Sequence, residues 1–139
     1  MINNLDLDTI NKIRKNTLLE TLDIKFVEVH ENKVVATMPV TPRVHQPDGV
    51  LHGGASVALA ETVGSYASFF SMNSDTHMVR GIEISANHVK SISEGVVTAT
   101  AIPLHKGRTT QLWEIRIEDE KGQLISLCKL TTIILEKSK

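Results

Sequence analysis

The chain has one cysteine, one tryptophan, one tyrosine and four prolines among its 139 residues. A single thiol cannot close an internal disulfide, and no second thiol stands at a metal-ligand spacing from Cys128. Its place in an alternating C-terminal segment predicts a small core side chain. Net charge is also scarce: Lys plus Arg number 15 against 16 for Asp plus Glu, a balance of −1, and the basic residues are scattered rather than striped. That distribution excludes the basic surface that nucleic acid requires. Met1 to Asn16 contain no apolar run of the kind a secretory signal needs, so the expectation is a cytoplasmic protein. Repeats and low-complexity tracts are absent, and 41% hydrophobic with 22% charged residues suits one domain over residues 1–139.

The sharpest scarcity is local. Between Asp48 and Asp75 the only Asp, Glu, Lys or Arg is Glu61, inside an apolar, small-residue run from Gly53 to Met72. The run has about the length of a membrane span, but its serines, its glycines and a central Glu argue for a buried helix and against lipid. An ionised carboxylate in a low-dielectric interior is costly unless compensated, so a purely structural helix would carry Ala or Leu there. Val57, Ala58, Gly64 and Ser65, its neighbours at helical spacing, do not build a charged outer face. Glu61 is therefore the first candidate for chemistry; the alternative is an exposed rim or a carboxylate satisfied by backbone donors.

Leu5 to Thr21 place Leu7, Ile10, Ile13 and Leu18 at helical intervals, which predicts a short helical flank or lid within residues 1–22. Ile24–Val29 and Lys33–Val40, divided by Glu31-Asn32, predict a hairpin. Thr41 to Leu51, with Pro42, Pro47 and Gly49, reads as a loop delivering the chain to the helix. Beyond Asp75, strands are expected at Met78–Val89, Gly95–Leu104, Thr109–Glu118 and Gln123–Leu135, four in succession and so an antiparallel meander. Gln111, Trp113, Ile115 and Ile117 share one face of their strand, opposite Leu112, Glu114 and Arg116. The sum is an α+β fold in which a curved antiparallel sheet wraps a long central helix.

The run His45-Gln46-Pro47-Asp48-Gly49-Val50-Leu51-His52-Gly53-Gly54-Ala55-Ser56, followed by Ala60-Glu61-Thr62-Val63-Gly64-Ser65, resembles the hotdog-fold thioesterases of the phenylacetate-degradation and aryl-CoA type. Within them it is similar to the group that hydrolyses 1,4-dihydroxy-2-naphthoyl-CoA or proofreads aryl carrier proteins. The likeness continues through Gly81 to His88 and Pro103 to Arg108, as far as Trp113. It implies hydrolysis of an acyl thioester, with Glu61 as nucleophile or general base, the Gly53 amide polarising the carbonyl, Gln46 and His52 holding the carbonyl or leaving thiolate, and Ser65 placing water. It also implies substrate contacts at Gly54, His88, Lys90, His105, Lys106, Gly107 and Arg108. No metal and no separate cofactor are implied, because coenzyme A is part of the substrate. Partners would be the acyl-CoA, a second copy of the chain in a dimer or dimer of dimers, and an acyl or aryl carrier protein.

The chemistry stands beside that resemblance. Acyl transfer needs a base or nucleophile and donors for the developing oxyanion. Glu61 supplies the first, and the N–H groups of Gly53 and Gly54 at a helix start are read as the second. Eight residues separate Gly53 from Glu61, a rise of about 12 Å on one helix, whereas both must come within roughly 4 Å of one carbonyl. A two-fold dimer with antiparallel helices resolves this, Gly53 of one copy facing Glu61 of the other. Small Ala60, Gly64, Ala67 and Ser68 suit either helix–helix contact or packing on the sheet. Ser65 either orients a water or bonds to its own helix backbone. Gln46 is neutral and acts, if at all, as an amide donor; His52 serves either chemistry or the loop. Lys90, Lys106 and Arg108 at strand ends are candidate phosphate contacts, with the Gly107 turn read as open to an anion. Tyr66, Phe69, Phe70 and Met72 are read as core or as the lining of an acyl pocket. Rival readings are an acyl-CoA hydratase or dehydratase and a non-catalytic acyl-CoA-binding protein.

Overall fold

The computed structural model describes residues 6 to 139, so Leu5 and the residues before it lie outside the described residues. Two short helices, α1 (Leu7–Asn11) and α2 (Leu18–Thr21), form the predicted flank. They are capped at their starts by Asp6 and Thr17, whose side chains accept from Thr9 N and Leu19 N. The strands are β1 (Lys25–His30), β2 (Lys33–Pro39), β3 (His77–His88), β4 (Val96–Lys106), β5 (Thr110–Glu118) and β6 (Leu124–Glu136), and the long helix α3 spans Gly53–Phe70. The β1–β2 hairpin turns at Asn32, whose φ of 65° is a left-handed conformation that Asn tolerates.

All neighbours in the sheet are antiparallel, in the order β1-β2-β4-β5-β6-β3. This corrects the expected four-strand meander. Only β4, β5 and β6 follow one another; β3 leaves α3 for the far edge and pairs with β6, while β4 returns beside β2. A helix packed across the sheet separates β2 from β3, so the next strand can join either edge, and alternation along a strand carries no information about which.

Trp113, Ile115 and Ile117 are fully buried beneath α3 with Val97, Ala99, Ala101 and Leu130, and Cys128 lies among them as expected. Gln111 joins their face and accepts from Trp113 Nε1 at 3.0 Å and from Ser68 Oγ at 2.8 Å. From α3, Leu59, Ala60, Val63, Gly64, Ala67 and Ser68 face the sheet. A methyl on Gly64 would stand 2.7 Å from Leu130 Cδ2. These small residues thus serve close helix–sheet packing, and the helix–helix alternative loses their support. The opposite stripe, with Gly54, Ala58, Glu61, Ser65 and Phe69, is exposed or half-buried. Among the described residues no helix is long and apolar enough to cross a membrane.

Candidate active site

The loop before α3 is built to present its first turn. Gln46 N donates to Val50 O at 2.8 Å, the Gln46 side-chain oxygen accepts from Asp48 N, and His45 pairs with Leu51 as an isolated bridge. His52 then caps α3, its Nδ1 accepting from Gly54 N at 2.7 Å. That bond leaves the ring proton on Nε2, so His52 is a neutral donor away from the helix. It also corrects the expectation for Gly54, whose N–H is taken by the cap. The Gly53 N–H has no hydrogen-bond partner among the described residues and is the open donor at this helix start.

The ring of His88, from the end of β3, lies against Gly53; a methyl at position 53 would stand 2.8 Å from Nε2. Only glycine permits that approach. His88 Nδ1 is 2.6 Å from Ser126 Oγ, a buried hydroxyl on β6 that holds the ring in place. Gln46, Gly53, Ser56, His88, Lys90 and Ser126 are among the residues lining a cavity of about 260 Å³. Lys90 stands at this cavity while reaching Gln123 and, at 3.8 Å, Asp119. The Asp119 carboxyl is held below its ordinary range by backbone N–H donors from Gln123 and Lys121, with Lys90 and Lys121 adding to the effect.

Glu61 stands elsewhere. In a single protomer it is exposed, which corrects the expectation of burial, and it has no hydrogen bond or ion pair among the described residues. Its Oε1 lies over Gly81 of β3, so close that a methyl there would be 2.9 Å away. It stands on the face of α3 that the sheet does not cover. Ser65 follows one turn later, and its hydroxyl makes no bond to its own helix backbone, which leaves it free to bond outward. Beside it opens an apolar cleft of about 470 Å³. Tyr66, Phe69 and Phe70 line this cleft and stack edge-on or tilted on one another; Phe70 also belongs to the core and Tyr66 packs against it, whereas Phe69 is exposed. Met72 belongs to the core. Burial holds the Tyr66 hydroxyl above its ordinary pKa, hence neutral.

One chain therefore brings Gln46, His52, Gly53, Gly54, His88 and Lys90 together and sets Glu61 about two turns, and Ser65 about three, along α3 from them. His105 and Lys106 end β4, and Gly107 and Arg108 begin the turn to β5, near the far end of α3, where Gln111 bonds to Ser68 and Ser71. This turn is not open to an anion as expected: Gly107 N–H donates to Thr110 O at 2.9 Å, and Lys106 Nζ reaches Asn32 Oδ1 at 2.6 Å. Arg108 is exposed. Among the described residues no three His, Cys, Asp or Glu side chains converge as metal ligands.

A family model described as the thioesterase superfamily matches residues 48–126, from the loop before α3 into β6. The Escherichia coli protein named 1,4-dihydroxy-2-naphthoyl-CoA hydrolase is 44% identical over 131 residues, which cover 94% of this chain and 96% of its own. The chain belongs to the thioesterase superfamily. Another relative, the proofreading thioesterase EntH of Cronobacter turicensis, is also 44% identical over 131 residues, covering 94% of this chain and 95% of its own. A crystal structure of a mutant thioesterase from Pseudomonas aeruginosa superimposes with a TM-score of 0.94 at 38% identity, over 98% of both chains. Within this thioesterase fold, two features escaped the sequence reading. Ser126 carries no signal beyond its place in an alternating strand. Thr9, Ile10 and Ile13 announce an apolar helix face, but nothing in their spacing says that it borders the cleft beside Ser65.

Proposed function

We propose that this thioesterase hydrolyses the thioester of an aromatic acyl-CoA, yielding the free acid and coenzyme A, in a site to which two copies of the chain contribute. The observation that carries the reading is the placement of two complementary groups on one helix: a free Gly53 N–H at its positive end and an unpaired Glu61 carboxylate on its uncovered face. About 12 Å of helical rise separates them, so a second copy must bring its carboxylate to the first copy's amide. The bare stripe from Gly54 to Phe69 supports that pairing, as does β3, which leaves one sheet edge unpaired.

In this reading the thioester carbonyl accepts from Gly53 N–H, where the helix dipole favours the negative charge that develops on oxygen. His52 Nε2–H and the Gln46 amide lie at the same helix start and add donors toward the carbonyl or the leaving sulfur. The partner's carboxylate at position 61 either attacks the carbonyl carbon or takes a proton from the attacking water, with Ser65 orienting that water. The C–S bond breaks and the thiolate leaves, taking up the proton lost by the water; where the carboxylate attacks directly, that water cleaves the resulting acyl anhydride before the acid is released. The aryl group enters the cleft of Tyr66 and Phe69. Gly54, His88 and Lys90 border the thioester and its pantetheine arm, and the side chains of His105 and Arg108 meet the nucleotide, the Gly107 N–H and the Lys106 ammonium being already engaged. An aryl carrier protein presenting the same pantetheine is a second way for the acyl group to arrive.

A panel of benzoyl-, naphthoyl-, palmitoyl- and crotonyl-CoA, followed by release of free thiol, tests this. Aryl-CoA substrates turning over fastest is the expected outcome. Hydration of crotonyl-CoA without thiol release, or binding of all four without turnover, would reject the reading.

A further inference from the structure

The apolar cleft beside Ser65 has two walls of different origin. Its inner wall is α3, through Ser65, Tyr66, Phe69 and Phe70, and its outer wall is the N-terminal segment, through Thr9, Ile10 and Ile13. We propose that this N-terminal segment sets the size of acyl group the enzyme accepts, with Ile13 as the specificity-determining residue and Asn11 as the residue that positions it. The inference rests on the thioesterase reading above and concerns the acyl end of that same site.

Three observations carry it. The cleft is continuous with the reacting groups, because Ser65 lines it and lies one turn from Glu61. Its volume of about 470 Å³ falls in the range of small-molecule sites, and its mouth leaves apolar surface uncovered on both walls, with Ile13 39% and Phe69 37% exposed. An aryl group seated between them would bury both.

The outer wall is also fastened rather than loose. Asn11 Nδ2 donates to Phe26 O and Asn11 Oδ1 accepts from Phe26 N, both at 2.9 Å, so its side chain completes the unpaired edge of β1. Phe26 in turn packs edge-on against Tyr66, ring centroids 5.2 Å apart, which ties one wall to the other. On the far side of Ile13, Arg14 bonds to Ile24 O and pairs with Asp23 at 2.9 Å. Ile13 thus sits between two anchors, and Ile10 beside it is 3% exposed. A wall held on both sides discriminates by shape, because a larger ligand cannot simply displace it.

The experiment compares kcat/KM for 2-naphthoyl-CoA and benzoyl-CoA in the wild type and in Ile13→Trp, Ile13→Ala and Asn11→Ala. Ile13→Trp is expected to lower the naphthoyl-to-benzoyl ratio by about tenfold or more, chiefly through KM, and Ile13→Ala to raise it. Asn11→Ala is expected to bring the ratio toward one, again through KM with kcat preserved, which a general loss of stability would not do. An independent arm follows hydrogen exchange in the wild-type protein with the non-hydrolysable thioether 2-naphthylmethyl-CoA. Slower exchange at the amides of Ile10 to Ile13 is expected. Unchanged ratios in both Ile13 variants, or no protection of the segment when the thioether binds, would overturn the inference. A wild type that releases no thiol from aryl-CoA would instead reject the thioesterase reading, and the exchange arm would still judge the wall.

Discussion

His88 and Gly53 are in contact across the start of α3, the imidazole filling the space where any other residue's Cβ would lie, 2.8 Å from Nε2. Gly53→Ala is expected to push the ring off Ser126 and shift the helix start, lowering both stability and turnover. In a His88→Ala background the same methyl has room. A double-mutant cycle on denaturant midpoints should give a coupling of about 1 kcal/mol or more, within the range for touching residues. Additive effects would show that the contact carries no energy.

Glu61→Gln keeps the shape of a side chain that has no hydrogen-bond or ion-pair partner among the described residues. Stability should change by no more than about 0.5 kcal/mol, as for other surface substitutions. Thiol release should fall by on the order of a thousandfold while binding persists, because the amide can neither attack nor accept the proton. A variant that retains its rate removes Glu61 from the mechanism.

The proposed division of the site between two copies is measurable by complementation. Glu61→Gln and Gly53→Val are each expected to be inactive. Unfolded together and refolded in equal amounts, they should form mixed dimers with one intact site in two, restoring about one quarter of wild-type activity by random pairing. No recovery, despite exchange of subunits shown by mass spectrometry, would place both groups in one chain.

Cys128 is 1% exposed, and burial raises its thiol pKa from 9.0 to about 11. The native protein should therefore resist a thiol-reactive disulfide at pH 8 and label only on unfolding. The sign for stability follows from the neutral form being favoured inside. Below about pH 9 the group contributes no pH dependence, and between 9 and about 11 the unfolded chain ionises first, so stability falls as pH rises. Cys128→Ala should flatten that alkaline limb, read from melting temperature against pH.

The strands and the central helix were readable because each rests on local periodicity. Gln111, Trp113, Ile115 and Ile117 alternate with half-wet neighbours, and the apolar run begins at a helix-capping His52. Its end came at Phe70 rather than Met72, where Ser71 takes the cap. The place of β3 was not readable, since a strand joining β6 or β4 needs the same alternation. Nor was the exposure of Glu61, because a run of small and apolar residues reads the same on a helix face the sheet covers and on one it leaves bare.

The sequence by itself determined the element order, the helix carrying one carboxylate, and the glycine that marks its start, for these follow from spacing and residue type along a few turns of chain. Tertiary structure decided which groups meet: His88 against Gly53 from thirty-five positions away, Ser126 behind it, and Asn11 fastening the N-terminal segment to Phe26 beside the cleft. Those contacts join residues far apart in the chain, and no local pattern encodes a distance that only the closing of the sheet around the helix creates.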